Sequence, residues 1–224
     1  MERDYQVPTD NPSIYLLSPT PKEGVESLPM IEFTQVVDSI DFSKCDTLMF
    51  TSKQAVITAN AIDKQWRDIP SIAVGSATKK QIEQLGGEVI YHPKEFYGQE
   101  LAKDIENFFQ DRNILYLRPV KVIFQSKEYL AKKNILLQEQ IIYQTSCIKY
   151  DISEQPPENS IIIFTSPSTI DCFLKNFSWL QSYTAVVIGD ATKVHLPPNA
   201  TFVVAKSPLI DACIQRAYEI IESS

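Results

Sequence analysis

Two tripeptides, Phe50-Thr51-Ser52 and Phe164-Thr165-Ser166, each close an apolar run with two hydroxyl side chains in succession. Two further segments, Val74-Gly75-Ser76-Ala77-Thr78 and Ile188-Gly189-Asp190-Ala191-Thr192, place a threonine three residues after a glycine, where the backbone can approach a ligand closely. Hydroxyls of this kind grip anions best where a helix begins, because the first turn leaves backbone N–H groups unpaired. Such local donors matter here: the chain carries a formal charge of −7, so a polyanionic ligand cannot be drawn in by bulk positive charge. On this reasoning Ser52, Ser166 and Ser168 are candidate carboxylate donors, with Thr51, Lys53, Ser76, Thr78 and Thr192 beside them. The plain alternative is that the serines only cap helices and the glycine loops only turn.

The elements that would hold these residues follow from a repeat. Phe50 to Phe164 and Val74 to Ile188 are both steps of 114 residues, so two motifs keep one separation and mark a duplicated unit. After the first Thr-Ser pair Val56, Ala59, Ile62 and Trp66 recur at helical spacing, and after the second Ile170, Phe173, Leu174 and Phe177 do so. Ser52 and Ser166 then fall at N-caps, with Pro167 at the first helical position. Thr78-Lys79-Lys80-Gln81 reads as a capping box, and Gly86-Gly87 as the end of that helix. Later helices run through Leu101, Ile105 and Phe108, and through Ile210, Cys213, Ala217 and Ile221. Strands alternating with helices predict mostly parallel sheets covered on both faces, with ligands beyond the carboxyl ends of the strands.

The expected fold is therefore α/β: two Rossmann- or flavodoxin-like parallel-sheet domains joined by a two-stranded β connector, with an interdomain cleft. The boundaries expected are a discontinuous domain of residues 1–30 and 151–224, an inserted domain of 37–139, and connector segments 31–36 and 140–150. Both connector segments alternate Val, Ile, Thr and Tyr with polar residues.

Composition narrows the function classes. Hydrophobic residues are 44% and charged residues 22% of the 224, as in an ordinary globular chain. No apolar run approaches the ~20 residues of a membrane helix, and the polar opening Met1 to Ser13 offers no secretory signal. The acidic balance and the lack of a basic stripe argue against nucleic acid. Six glycines with neither G-x-G-x-x-G nor G-x-x-x-x-G-K-[ST] argue against a nucleotide site. Cys45, Cys147, Cys172 and Cys213 lie far apart, so they are expected as reduced thiols in a cytoplasmic protein without a metal, Cys147 acting as a small apolar side chain. His92 and His195 show no obvious partner.

Taken in order, Leu48 to Val56, Val74 to Thr78, Leu115-Tyr116-Leu117-Arg118, Ile142-Tyr143-Gln144-Thr145, Phe164 to Ser168 and Ile188 to Thr192 resemble the uroporphyrinogen-III synthase family over roughly Ile14 to Ile221. The resemblance implies two α/β domains joined by a two-stranded ladder. It also implies a cofactor-free lyase of haem biosynthesis whose substrate is hydroxymethylbilane, a linear tetrapyrrole bearing acetate and propionate arms. Loss of its terminal hydroxyl leaves an azafulvene; the substituted carbon of the last pyrrole attacks it, and the spiro intermediate fragments and recloses with that ring inverted. The protein's task is then positioning, together with exclusion of the spontaneous closure that occurs without inversion. Tyr143 falls near the active cleft by the resemblance, where a phenol can assist the departing hydroxyl as a general acid does. Its plain reading is a strand aromatic. Lys53 and Arg118 are further carboxylate partners on this view. The expected partners are the tetrapyrrole and the upstream hydroxymethylbilane synthase, the expected state a monomer in the cytoplasm, and the rival reading a non-catalytic two-lobed anion-binding protein or sensor. Two departures stand out: only Thr20 to Leu28 replace the family's first helix and second strand, and Pro119 stands where the family has glycine, removing an N–H donor.

Overall fold

The computed structural model describes residues 12–93 and 98–223; the opening stretch of the expected first domain, Met1 to Asn11, lies outside the described residues. In chain order the elements are β1 (Ile14–Leu16), β2 (Glu26–Ser27), β3 (Ile31–Gln35), β4 (Thr47–Phe50), α1 (Lys53–Ile62), β5 (Ser71–Ala73), α2 (Ser76–Gln84), β6 (Val89–Tyr91) and α3 (Gly98–Phe108). There follow β7 (Ile114–Pro119), α4 (Ser126–Ala131), β8 (Leu137–Cys147), β9 (Ile161–Phe164), α5 (Pro167–Asn176), β10 (Thr184–Val187), α6 (Asp190–Lys193), β11 (Thr201–Val204) and α7 (Ile210–Glu222). Short 3-10 turns at Lys64–Asp68 and Ile152–Glu154 follow α1 and β8.

Two sheets result, in the orders β11-β10-β9-β1-β2 and β3-β8-β7-β4-β5-β6. From β8 to β6, and throughout the first sheet, neighbouring strands are parallel. At β3 the Val36 N–H donates to Ile142 and the Ile148 N–H to Met30, so residue numbers rise along one strand as they fall along the other. The chain divides into two compact units, Met1–Glu32 with Ser146–Ser224, and Phe33–Thr145, with the crossings inside β3 and β8.

Burial of the strands on both faces explains their unbroken apolar runs. In the second unit Leu48, Phe50, Leu115 and Leu117 pack on one side with Trp66 and Ile82, while Met49, Ile114 and Tyr116 pack on the other with Leu101, Ile105 and Leu130. The period of two along each strand sorts the side chains between the layers. In the first unit Ile161 and Ile163 pack with Cys213 and Ala217 of α7. On the opposite face Phe164 meets Phe173 and Trp179, and Tyr183 closes an aromatic cluster around them. The glycine pair after α2 has two uses: Gly86 takes φ +89°, open to glycine at little strain, and a Cβ on Gly87 would overlap the Trp66 ring.

The duplicated register survives in three dimensions, one copy per sheet. The caps Ser52 and Ser166, the helix starts Lys53 and Pro167, and the glycines Gly75 and Gly189 each differ by the same 114 residues. As the shortened segment implies, no helix lies between β1 and β2, and β2 has two residues.

Four expectations are corrected. Thr78 is not a cap: α2 begins at Ser76 with Gly75 as its cap and no side-chain capping bond, which leaves Thr78 buried in the first turn. Phe108 does not join Leu101 and Ile105 in the core but is 67% exposed at the end of α3. Cys147 and Cys172 are not free thiols; the end of β8 and the middle of α5 bring their Cα atoms to 5.3 Å and they form a disulfide. Both histidines have partners, since the imidazole of His195 lies 3.0 Å from the Asp171 carboxylate and His92 Nδ1 is 3.1 Å from the Pro93 carbonyl.

Candidate functional site

At the carboxyl ends of β4 and β7 the second unit contains a cavity of about 580 Å³, lined by hydroxyl and apolar groups that include Thr51, Ser52, Val74, Tyr116 and Phe124. The parallel pairing of β4 with β7 sets Met49 opposite Tyr116, so the Thr-Ser pair leaves β4 directly beside the tyrosine. Thr51 and Tyr116 hydroxyls are hydrogen-bonded at 2.7 Å. Burial holds the Tyr116 phenol up at a pKa of about 12, against a smaller opposing effect of the Thr51 bond.

Ser52 carries a second pair. Its Oγ accepts the Ala55 N–H at 3.1 Å, which caps α1, and lies 2.9 Å from the Tyr143 hydroxyl. Tyr143 projects from β8, is 4% exposed, and packs edge-on to Phe33. Burial raises its pKa as well, so both phenols are neutral and able to donate at any working pH. A serine hydroxyl has two lone pairs and one proton. Either hydroxyl can donate in that second bond; in the arrangement in which Tyr143 donates, one Ser52 lone pair takes the Ala55 N–H, the other takes the phenol proton, and the Ser52 proton is left to serve a ligand in the cavity. The phenol therefore stands behind the serine rather than in the cavity wall.

The other expected residues are distributed as follows. Lys53 and Ser76 are exposed at the first positions of α1 and α2 and do not line this cavity. In the first unit Ser166 caps α5, its Oγ taking the Thr169 N–H while the Thr169 hydroxyl reaches back. Ser168 is exposed in the first turn of α5, and Thr192 is buried in the first turn of α6. Neither of the two cavities described is lined by Ser166, Ser168 or Thr192. Arg118 points to a carboxylate of the chain itself, with Nε 3.4 Å from Glu139 Oε1 in a pair 11% and 15% exposed, and its Nη1 donates to the Pro119 carbonyl. The Val120 N–H beyond Pro119 is spent on the Tyr143 carbonyl.

Sequence reading missed Tyr116, Gln99, Lys121 and Phe124 as cavity residues. Tyr116 had a signal: it is the one polar-tipped side chain in the apolar run Ile114-Leu115-Tyr116-Leu117, whose strand pairs with the one that leads into Thr51. The other three come from the start of α3 and the loop after β7, where composition gives no cue. Among the described residues no group of His, Cys, Asp or Glu is arranged to hold a metal ion, and no helix is long and apolar enough to cross a membrane.

Comparison with known proteins agrees with this architecture. The family model described as uroporphyrinogen-III synthase HemD matches residues 24–215. The chain is similar to the crystal structure of uroporphyrinogen-III synthetase from Helicobacter pylori 26695, with 24% identity and a TM-score of 0.79, over 93% of this chain and 99% of that one. It also resembles a mutant uroporphyrinogen III synthase from the extremely thermophilic bacterium Thermus thermophilus, with 9% identity and a TM-score of 0.58, over 95% of this chain and 100% of that one. At these identities the likeness shows the fold. No curated protein sequence matches the chain significantly.

Proposed function

The chain belongs to the uroporphyrinogen-III synthase family, and we propose that Ser52, backed by Tyr143, assists the hydroxyl that hydroxymethylbilane loses in the cyclising lyase reaction of that family. One observation carries the assignment of roles: a single Oγ in the cavity wall bonds both the Ala55 N–H and a buried neutral phenol. Ser52 gives its proton to the departing hydroxyl, which leaves as water, and takes the proton of Tyr143; the pyrrole nitrogen that pushes the hydroxyl out becomes an acidic N–H, and the loss of that proton restores the phenol through the same serine, so the step needs no metal. Thr51, oriented by Tyr116, adds a second donor 2.7 Å from that phenol on the same wall.

The caps and glycine loops of the first unit, Ser166, Ser168 and Thr192, belong to the same proposal as donors to the acetate and propionate arms. So do Lys53, Ser76 and Thr78 in the second unit. Segments 31–36 and 140–150, between a domain of 1–30 with 151–224 and one of 37–139, are the proposed two-stranded connector. The protein acts as a monomer in the cytoplasm, receiving its substrate from the hydroxymethylbilane synthase reaction.

The test is to give purified, chelator-treated protein fresh hydroxymethylbilane and separate the porphyrin isomers after oxidation. Dominance of type III is the expected result. Type I at the spontaneous rate, with the tetrapyrrole bound, would support the rival reading of a non-catalytic binding protein.

A further inference from the structure

The cavity beside Ser52 has a charge pattern that the rest of the chain does not lead one to expect. The protein carries 28 acidic against 21 basic residues, yet among the described residues the cavity wall holds one cation, Lys121, and no carboxylate. Lys121 sits in the loop between β7 and α4, is exposed, and has no ion pair among the described salt bridges. Arg118, three residues before it, is already committed to Glu139. The start of α3, at Gly98 and Gln99, also borders the cavity, and this eleven-residue helix presents the positive end of its dipole there. The same loop carries Ile123, 96% exposed, and the half-buried Phe124, both in the cavity wall. An apolar side chain held almost fully in solvent beside a cation that has no ion pair among the described residues suits a ligand with a flat apolar ring and acid arms.

We propose that this loop is a specificity element for one acid-bearing pyrrole of the substrate, with Lys121 pairing a carboxylate arm and Ile123 and Phe124 covering the ring. The proposal rests on the reading of the cavity as the reaction site. Pro119 gives a structural reason for it: the proline has no N–H, and the next N–H, of Val120, is bound to Tyr143, so the loop's first two backbone positions offer the anion nothing. Lys121 is the next residue and restores a donor by its side chain. A cation that only holds a substrate arm acts equally in ground and transition states, so its loss raises KM and leaves kcat nearly unchanged.

The experiment compares Lys121→Gln, Lys121→Arg and, as a control beyond the far end of α1, Lys64→Gln. Two readouts are used: kinetics with hydroxymethylbilane, and NMR-detected binding of a monopyrrole carrying one acetate and one propionate. For Lys121→Gln the KM is expected to rise ~3–10-fold, as for a partly exposed charge-assisted contact, with kcat within about twofold. Its KM should also lose most of its salt dependence. The arginine variant should restore KM, and the control should match wild type. Monopyrrole binding should weaken in parallel. Wild-type KM and wild-type monopyrrole affinity in Lys121→Gln would overturn the assignment while leaving the enzyme's activity untouched. Wild-type protein that turns nothing over, yet binds the monopyrrole through Lys121, would instead overturn the catalytic reading and keep the site. A fall in kcat alone would mean that the lysine acts in the chemistry, which also overturns the proposal.

Discussion

Removing either member of the Ser52–Tyr143 pair should have unequal effects, and the inequality can be worked from the bonds present. Tyr143→Phe deletes one hydroxyl, keeps the edge-on packing with Phe33, and leaves Ser52 its Ala55 bond. The loss is one buried hydrogen bond, about 1 kcal/mol. Ser52→Ala deletes the α1 cap, about 1 kcal/mol, and also strands the Tyr143 hydroxyl in a position where the residue is 4% exposed, a further ~1–3 kcal/mol. Because the stranded phenol is absent from the double variant, its destabilisation should fall short of the summed singles by about 1–3 kcal/mol. Urea unfolding of the four proteins measures this. In turnover, loss of the Ser52 proton should slow type III formation ~10²-fold or more, the range of general acid catalysis, and let spontaneous type I closure compete. Tyr143→Phe should slow it less, since the serine still reaches the leaving group. Additive stabilities would refute the bond, and a Tyr143→Phe enzyme slower than Ser52→Ala would refute the order of the relay. Wild-type rate and pure type III product in both variants would return the pair to a cap and a strand aromatic.

The remaining predictions concern other parts of the molecule. Since the Tyr116 phenol is held up at about 12, the unfolded chain loses that proton first, so its contribution to stability is intact below pH 10 and falls as pH rises toward 12; Tyr116→Phe should flatten the alkaline limb of a stability–pH curve, and an unchanged limb would contradict the assignment. Reduction of the Cys147–Cys172 bridge, whose cysteines are 25 residues apart, should lower stability by about 3 kcal/mol on chain-entropy grounds, read as a fall in the urea midpoint that Cys147→Ser reproduces without reductant. Gly87→Ala should destabilise by roughly 1–3 kcal/mol, because its methyl group would enter the Trp66 ring, whereas a neutral effect by calorimetry would show that the ring yields freely.

How far the sequence reveals this protein depends on whether a feature is local. Ser52 and Ser166 are readable as caps because an N-cap is defined within four residues, and both bond the N–H three positions on. The apolar strands are readable because burial on both faces leaves few polar residues, such as Thr47 and Ser71, at their starts. Thr78 is misread by the same local logic: threonine resembles a cap, but here the glycine two residues before the helix's second position takes the extended φ of 175°, and the helix starts early. Features that join distant segments have no such signature. The disulfide depends on β8 ending against α5, and the Tyr143–Ser52 and Tyr116–Thr51 bonds span 91 and 65 residues.

Those two long-range bonds also explain why the Thr-Ser copies, alike in sequence, need not do the same work. In the second unit each hydroxyl of the pair meets a phenol from another strand of the sheet, the adjacent β7 for Thr51 and β8, one strand further, for Ser52. In the first unit Ser166 instead closes a capping box with Thr169 of its own helix. The Ser166 hydroxyl takes one N–H, that of Thr169, so it can still donate to a ligand, but among the described hydrogen bonds no phenol stands behind it to replace a proton that it gives up. A serine that shares its Oγ with a buried phenol keeps a proton that can be replaced from behind. The duplication thus supplied two equivalent helix starts, and the tyrosines of β7 and β8 made one of them chemically distinct. Transplanting the distinction tests it: Ser166→Ala should lose about 1 kcal/mol of stability and leave the rate of type III formation within a fewfold of wild type, in contrast to Ser52→Ala. Equal rate losses in the two alanine variants would show that the caps act alike and that the phenols are incidental.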